Sequence, residues 1–231
     1  MPAETPDQPR QRQRKEKLTA QQIAETALRL VGEHGLCGLT MRALSEEVGV
    51  QAPVIYRLVA DKQALLDEMA EALISRASLS ELASDDPYAD LAESTRRLRR
   101  VLLNQRDGAH IVAGSFAAKH NTLRCAETVM AMLNRIGLPE DKAMWAMMNL
   151  FCFTLGEVME EQGLPSDPEQ AKQAILAASA TVLDDGHFKH LNTELISKHG
   201  FAFDQRFEFG LKIFLIGIRE EVAGGAGHVS A

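Results

Sequence analysis

Through most of this 231-residue chain, apolar side chains recur every three to four positions, and long stretches with that helical period outnumber plausible strands. The first predicted helix starts behind Thr19-Ala-Gln-Gln22, a capping box whose threonine hydroxyl and glutamine amide satisfy free backbone groups. Ile23, Ala27, Leu30 and Val31 then share a face, and Gly35 is placed to end the helix in a left-handed conformation. A second helix is expected over 41–48 behind Thr40 as its cap. Gly49 supplies a tight turn, and a third helix over 53–58 has Pro53 in its first turn, where a missing N–H costs nothing. Asp61 can cap a fourth, whose stripe of Leu65, Leu66, Met69, Leu73 and Ile74 continues to residue 78.

Residues 79–88 break the period with Ser80, Ser84, Asp85, Asp86 and Pro87 and form the best boundary. Beyond them helices are expected over 89–105, 109–118, 122–136, 139–162, 167–184 and 203–222, with 184–200 a loop or weak helix and 224–231 a frayed end. No internal repeat is present. The chain therefore reads as all-α, with a tail over 1–17, a three-helix head over 18–62, a connecting helix over 63–78 and a larger helical region over 79–231.

Within the head, residues 40–62 combine a helix, a glycine turn and a short second helix. Leu44, Val48, Val50 and Ile55 can meet in a small core, leaving Arg42, Pro53, Val54, Tyr56 and Arg57 outward, which is the layout of a helix-turn-helix that reads DNA. A net charge of −7 sits badly with a nucleic-acid partner until its distribution is considered. Residues 1–62 carry nine basic against eight acidic residues, whereas the rest of the chain carries 16 against 24. Arg10, Arg12, Arg14, Lys15 and Lys17 oppose only Glu16 and form a basic arm; such arms lie along phosphates or in a minor groove, or are merely solvated tails.

An apolar content of 45% can bury a core, and the longest apolar stretch, 143–156, is too short for a bilayer and contains Asn149. With no apolar signal region at the amino terminus, a cytoplasmic protein with no membrane partner is expected. Cys37, Cys125 and Cys152 lack paired spacing, so buried free thiols are expected rather than disulfides or a zinc finger. His187, His190 and His199 have no accompanying carboxylate motif, and no phosphate-cradling glycine loop or Gly-x-Ser-x-Gly segment occurs. No cofactor, metal or catalytic residue is assigned.

Residues 18–78, through the brace helix, Gly-Leu-Thr40-Met-Arg42, Val-Gly-Val50 and Ile-Tyr56, resemble the DNA-binding domain of TetR-family transcriptional repressors. Gln105-Arg-Asp-Gly-Ala109 and Phe153-Thr-Leu-Gly-Glu-Val-Met-Glu-Glu-Gln162 further resemble the regulatory domain of that family's tetracycline repressors. The resemblance implies a homodimer whose two heads read a palindromic double-stranded DNA operator, with 79–231 binding an effector and pairing the subunits. The helix containing Phe153 and the last helix are the implied pairing elements. Phe151, Leu155 and Val158, then Phe207, Leu211, Leu215 and Ile216, supply apolar surface that serves either pairing or an internal core.

The family pattern sets Thr40 and Arg42 at backbone or groove edges and puts Gln51, Ala52, Pro53, Val54, Tyr56 and Arg57 toward the major groove. Arg57 can make a bidentate contact to guanine and Val54 can touch a thymine methyl, while Tyr56 and Lys62 hold phosphates. In the regulatory region, the position of the metal-holding His falls on Val112, a nearby Thr position on Ser115, and the acidic partner on Glu160. The upstream amide and aromatic positions fall on Ser94 and Leu98. Valine cannot ligate magnesium, and His110 points elsewhere on a helix, so a tetracycline–magnesium effector is not expected.

Met130, Met132, Met144, Met147, Met148 and Met159, with Trp145, Phe151 and Phe153, instead suggest a mostly apolar small-molecule effector, Ser115 and Glu160 serving as polar anchors. Glu157, Glu160 and Glu161 share a helix, two of them on a solvated face. Two other functions stay open at this point: an enzyme or metal-binding protein carrying such a head, and a DNA-binding protein that answers to no effector.

Overall fold

The computed structural model describes residues 18–115, 118–165, 167–183 and 187–226, so the basic arm lies outside the described residues. Among them are eleven α-helices and no strand. The head is built from α1 (Ala20–His34), α2 (Met41–Val48) and α3 (Ala52–Tyr56), and α4 (Lys62–Ser75) leads out of it. The body comprises α5 (Pro87–Leu103), α6 (Gly108–Ala113), α7 (His120–Ile136), α8 (Glu140–Gln162), α9 (Pro168–Leu183), α10 (Thr193–His199) and α11 (Phe203–Ala226).

Local chemistry sets the head's geometry. The Thr19 hydroxyl accepts the Gln22 N–H at 3.2 Å while the Gln22 amide oxygen accepts the Thr19 N–H at 3.0 Å, closing the capping box. Gly49 ends α2 at φ 73° and ψ 30°, the left-handed turn expected there. Gly35 differs: at φ 75° and ψ 165° it occupies an extended positive-φ region almost reserved for glycine. A β-carbon there would lie 3.1 Å from Arg106 Nη2, so the position also accommodates the body. Thr40 and Asp61 cap α2 and α4, accepting the N–H groups of Ala43 at 3.1 Å and Ala64 at 2.8 Å.

Ile23, Ala27, Val31, Leu44, Ile55, Val59, Leu65 and Met69 fill the head's core. It does not stop at α4: Leu102, Ile111, Val112, Leu155 and Val158 belong to the same cluster, which joins head to body. A second core gathers Leu91, Leu133, Ile136, Leu150, Phe207, Leu211 and Ile218 from α5, α7, α8 and α11. Phe153 stacks on Phe207 with ring centroids 5.3 Å apart. Leu155, Val158, Phe207 and Leu211 are thus interior, taking the second of the two roles left open for those stripes.

Several boundaries differ from those expected, for long-range and local reasons. α6 stops at Ala113, short of residue 118, because the chain turns to meet α4: Gln63 Nε2 donates to the Gly114 carbonyl at 2.8 Å and Ser115 Oγ to Asp67 Oδ1 at 2.9 Å. The third helix ends at Tyr56 rather than residue 58, since Leu58 and Val59 both fold back onto the Ile55 carbonyl, at 2.8 and 2.9 Å. Within 184–200 a helix, α10, forms behind Asn192, whose side chain accepts the Leu195 N–H at 2.7 Å. Helix α11 continues to Ala226, past the point expected to fray.

Candidate DNA-reading face and effector cavity

Thr40, Arg42, Gln51, Pro53, Tyr56, Arg57 and Lys62 are exposed in the head, while Ala52 and Val54 are partly covered. Tyr56 is 47% exposed and Leu58 38%, large apolar surface with no intramolecular use in the head. Arg57 follows the last residue of α3 in helical conformation and makes no ion pair among the described residues, and Lys62 opens α4 directly after the turn. Arg42 donates to Glu46 at 2.9 Å, and that hydrogen bond and charge hold its pKa above the ordinary arginine value. The pair is exposed and therefore weak, so a phosphate can displace Glu46.

Head and body meet through Gln105, Arg106 and Asp107. Gln105 Nε2 donates to the Leu28 carbonyl at 3.0 Å, Arg106 Nη1 to the Glu33 carbonyl at 3.0 Å, and the Leu36 N–H to Asp107 Oδ2 at 2.6 Å. Gln162 braces the same segment from α8, donating to the carbonyls of Leu102 and Gln105 at 2.9 and 2.8 Å and accepting the Ala109 N–H at 3.3 Å. The two regulatory segments singled out in the sequence are therefore neighbours in space.

Helix α4 also grips the approach to α7. Beyond the Gln63 and Asp67 bonds, Lys119 Nζ donates to Glu68 at 2.9 Å. The Glu71 carboxylate accepts the N–H groups of Asn121 and Thr122, at 2.5 and 3.0 Å, and the Thr122 hydroxyl at 2.9 Å. A negative group thus meets the positive end of α7.

An apolar cavity of about 190 Å³ lies behind this contact, between the end of α4, α5, α7 and α8. Ser94, Leu98, Met147 and Phe151, four of the seven residues proposed from sequence for an effector, line it. The others do not. Val112 is buried in the joint core, Ser115 is held by Asp67, and Glu160 makes a double hydrogen bond to Arg206 at 3.0 and 2.7 Å. Glu157 pairs with Arg206 and Glu161 with Arg99, so Glu157, Glu160 and Glu161 are all salt-bridged.

Thr95, Cys125, Val129 and Thr154 are lining residues the sequence reading missed. Thr154 had a signal: Met147, Phe151 and Thr154 share a helical face at spacings of four and three. Cys125 had none, because α7 reaches the cavity through its tertiary contact with α4. The thiols also depart from the buried arrangement expected: Cys37 and Cys152 are exposed and Cys125 is half-covered. Burial pushes the Cys125 thiol above its ordinary pKa, keeping it neutral. Of the methionines, Met147 and Met148 reach the cavity and Met132 packs in the core. No group of three or more His, Cys, Asp or Glu among the described residues could hold a metal ion, and no described helix is long and apolar enough to cross a membrane.

Residues 23–69 match the family described as bacterial regulatory proteins, tetR family, and residues 81–222 the family described as tetracyclin repressor-like, C-terminal domain. The tetracycline repressor protein class C of Escherichia coli is 32% identical over 206 residues, covering 88% of this chain and 92% of that protein. A possible TetR family transcriptional regulator from Streptomyces coelicolor A3(2) superposes with a TM-score of 0.72 at 33% identity, over 87% of this chain and 98% of the other. A variant of TetR from Acinetobacter baumannii AYE, crystallised with minocycline, gives a TM-score of 0.67 at 29% identity, over 88% and 98%. With the head, its joint and the body all matched, the chain belongs to the TetR family and is a DNA-binding transcriptional regulator.

Proposed function

We propose that the protein is a repressor that binds a palindromic operator as a homodimer and releases it when a mostly apolar small molecule fills the cavity between α4, α5, α7 and α8. One observation carries this reading: Ile74, near the end of α4, lines the cavity, and the same helix begins at Lys62 beside the DNA-reading turn. A ligand that pushes on that wall acts on the element that leads out of the head. It must bind the released form more tightly than the DNA-competent form, because equal affinity shifts nothing. No reaction is needed, and DNA as the partner supports a cytoplasmic location.

Pairing is supported by exposed apolar faces on α8 and α11. Trp145 is 62% exposed, Phe209 65% and Ile213 53%, and Ile216 shares their surface. These are the two helices for which pairing was expected, with the outward residues now distinguished from the inward ones. An effector like that of the tetracycline repressors finds no support, since Val112 offers no metal ligand and is sealed in the core.

The test combines operator selection with a ligand screen. Genomic fragments retained by the protein supply a labelled duplex for anisotropy, and apolar compounds are screened by melting temperature. A compound present at 100 times its Kd should stabilise the protein by about 2.7 kcal/mol. At least one such compound should also weaken operator binding. Retention of no fragment would sink the operator reading; stabilising compounds that all leave DNA affinity unchanged would sink the effector reading.

A further inference from the structure

Inside the apolar cavity a ligand meets almost nothing polar. Ser94, Thr95 and Thr154 are 3%, 6% and 0% exposed, and each hydroxyl donates to a carbonyl of its own helix, at 2.7, 2.8 and 2.7 Å. A polar group that the protein recognises must therefore stand at the cavity's edge. Along one edge, residues 74–80 at the end of α4 face residues 121–129 of α7, and each segment turns its side chains to two opposite sides. Ile74, Ala77, Ala126 and Val129 line the cavity, whereas Ser75, Ser78, Ser80, Asn121 and Thr128 line a second hollow of about 220 Å³. Helical spacing explains the division on α7: positions 122, 126 and 129 fall on one face and positions 121, 124 and 128 on the next.

Among the described residues, Leu79 and Cys125 line both hollows, and those two side chains are the partition. Cys125 Sγ lies 3.7 Å from the Ile74 carbonyl, the weak tie of a thiol. Leu79 follows a turn that Ser78 enters at φ 48° and ψ 46°, a left-handed conformation uncommon outside glycine. Arg124 lines the polar hollow and is exposed. It makes no ion pair among the described residues, whereas Arg76 and Arg97 at the same turn are paired with Glu25 and Glu81. The Arg124 charge also reaches the partition: at the Cys125 thiol, burial raises the pKa and Arg124 opposes it. Glu71 acts there with the opposite sign, but its carboxylate already accepts two backbone N–H groups and the Thr122 hydroxyl.

Resting on the effector reading above, we propose that the effector is an amphiphilic anion: its apolar body fills the cavity, and its anionic group passes between Leu79 and Cys125 to lie against Arg124 in the polar hollow. A guanidinium at the rim suits this, because its planar fork offers two N–H donors to a carboxylate while the pair stays partly in water. An anion drawn fully into the uncharged interior would lose its water without a partner, the costly case for a buried ion. The outer hollow thus selects the sign of charge, and the cavity selects the tail.

Calorimetric titration of the full chain at pH 7 with three probes that share one tail tests this: octanoate, 1-octanol and octylammonium. Octanoate and octanol should bind in competition for a single site, and octanoate should bind about five times more tightly than octylammonium or better. Arg124→Gln should weaken octanoate about fivefold, the upper end for an ion pair at an exposed rim, and leave octanol within about twofold. Arg124→Lys, which keeps the charge, should retain most of the octanoate affinity. Ala126→Phe, which fills the cavity, should abolish binding of all three; should it not fold, the competition between octanoate and octanol carries the same evidence. If octanol binds but octanoate is no tighter than octylammonium, or ignores Arg124→Gln, or persists in a folded Ala126→Phe that has lost octanol, the anion rule is overturned and the apolar cavity survives. If none of the three binds, both are overturned.

Discussion

Asp107 of the body accepts the backbone N–H of Leu36 of the head at 2.6 Å, a bond between residues 71 positions apart. It holds the turn after α1 against the start of α6. Asp107 itself sits at φ 57°, where asparagine and aspartate are the tolerated non-glycine residues. Replacing it therefore tests bond and backbone together. Asp107→Ala should cost about 1–3 kcal/mol, losing the acceptor while placing alanine in a strained conformation. Asp107→Asn, which keeps an acceptor oxygen and tolerates the backbone, should cost less than half as much. Urea denaturation of the two variants decides; equal losses would mean that neither the acceptor oxygen nor the tolerated φ that asparagine retains contributes, leaving the lost carboxylate charge as the cause.

At the DNA face, the exposed Arg57 and Lys62 are separated by one buried residue, Val59, and a turn. Arg57→Ala should relax operator specificity, removing about 1–3 kcal/mol of discrimination at one base position in each half-site. Lys62→Ala should weaken binding evenly across sequences and reduce the salt slope by about 1, as expected for one lost phosphate contact. Titrating both variants against operator mismatches at several salt concentrations separates them. Unchanged discrimination in Arg57→Ala would remove it from base reading.

These two sites differ in how far the sequence displayed them. The head was visible because its signals are local: Thr40 and Asp61 cap the helices they precede, and Gly49 turns the chain within two residues of its cause. Effector-side placement depends on contacts about 50 residues apart, such as Ser115 with Asp67 and Asn121 with Glu71, for which no periodicity gives warning. Glu160 shows the same limit. A carboxylate near a regulatory motif suits a ligand anchor, but only the arrival of α11 reveals that Arg206 occupies it. Inward and outward faces of α8 and α11 were also ambiguous, since both are apolar and a helical period cannot say which side meets a partner.

The outward faces give a prediction about assembly. Phe209 is 65% exposed on α11, so most of its surface is not engaged in packing within the subunit. Phe209→Glu should leave helix content and the melting transition of a dilute sample nearly unchanged while shifting sedimentation from dimer to monomer. A buried charge unpaired across a two-fold axis is met by its own copy, which doubles the penalty. The same variant should lose affinity for a full operator far more than for a half-site. Half-site centres are expected about 10 to 10.5 base pairs apart, or a multiple of that. A variant that still sediments as a dimer would move the interface elsewhere.

The contact between Glu71 and the first turn of α7 makes the last prediction, because it ties the helix leading out of the head to a wall of the cavity. Its carboxylate satisfies the Asn121 and Thr122 N–H groups at once, while Gln63 and Asp67, eight and four residues earlier on α4, hold Gly114 and Ser115. Spacing of four residues places all three on one face, so α4 grips the segment before α7 along a single line. Thr122 belongs both to this line and to the cavity. Glu71→Ala leaves two N–H groups and a hydroxyl without their acceptor, at a cost of about 1–3 kcal/mol, whereas Glu71→Gln keeps an oxygen but loses the charge and should cost less. The more telling expectation is local. Hydrogen exchange at residues 120–123 should accelerate in Glu71→Ala, and a cavity ligand should still bind yet release the operator less completely, because movement at α7 no longer pulls on α4. Unaltered exchange with undiminished release would mean that the signal reaches the head by another route, the Gln105–Asp107 joint being the next to test.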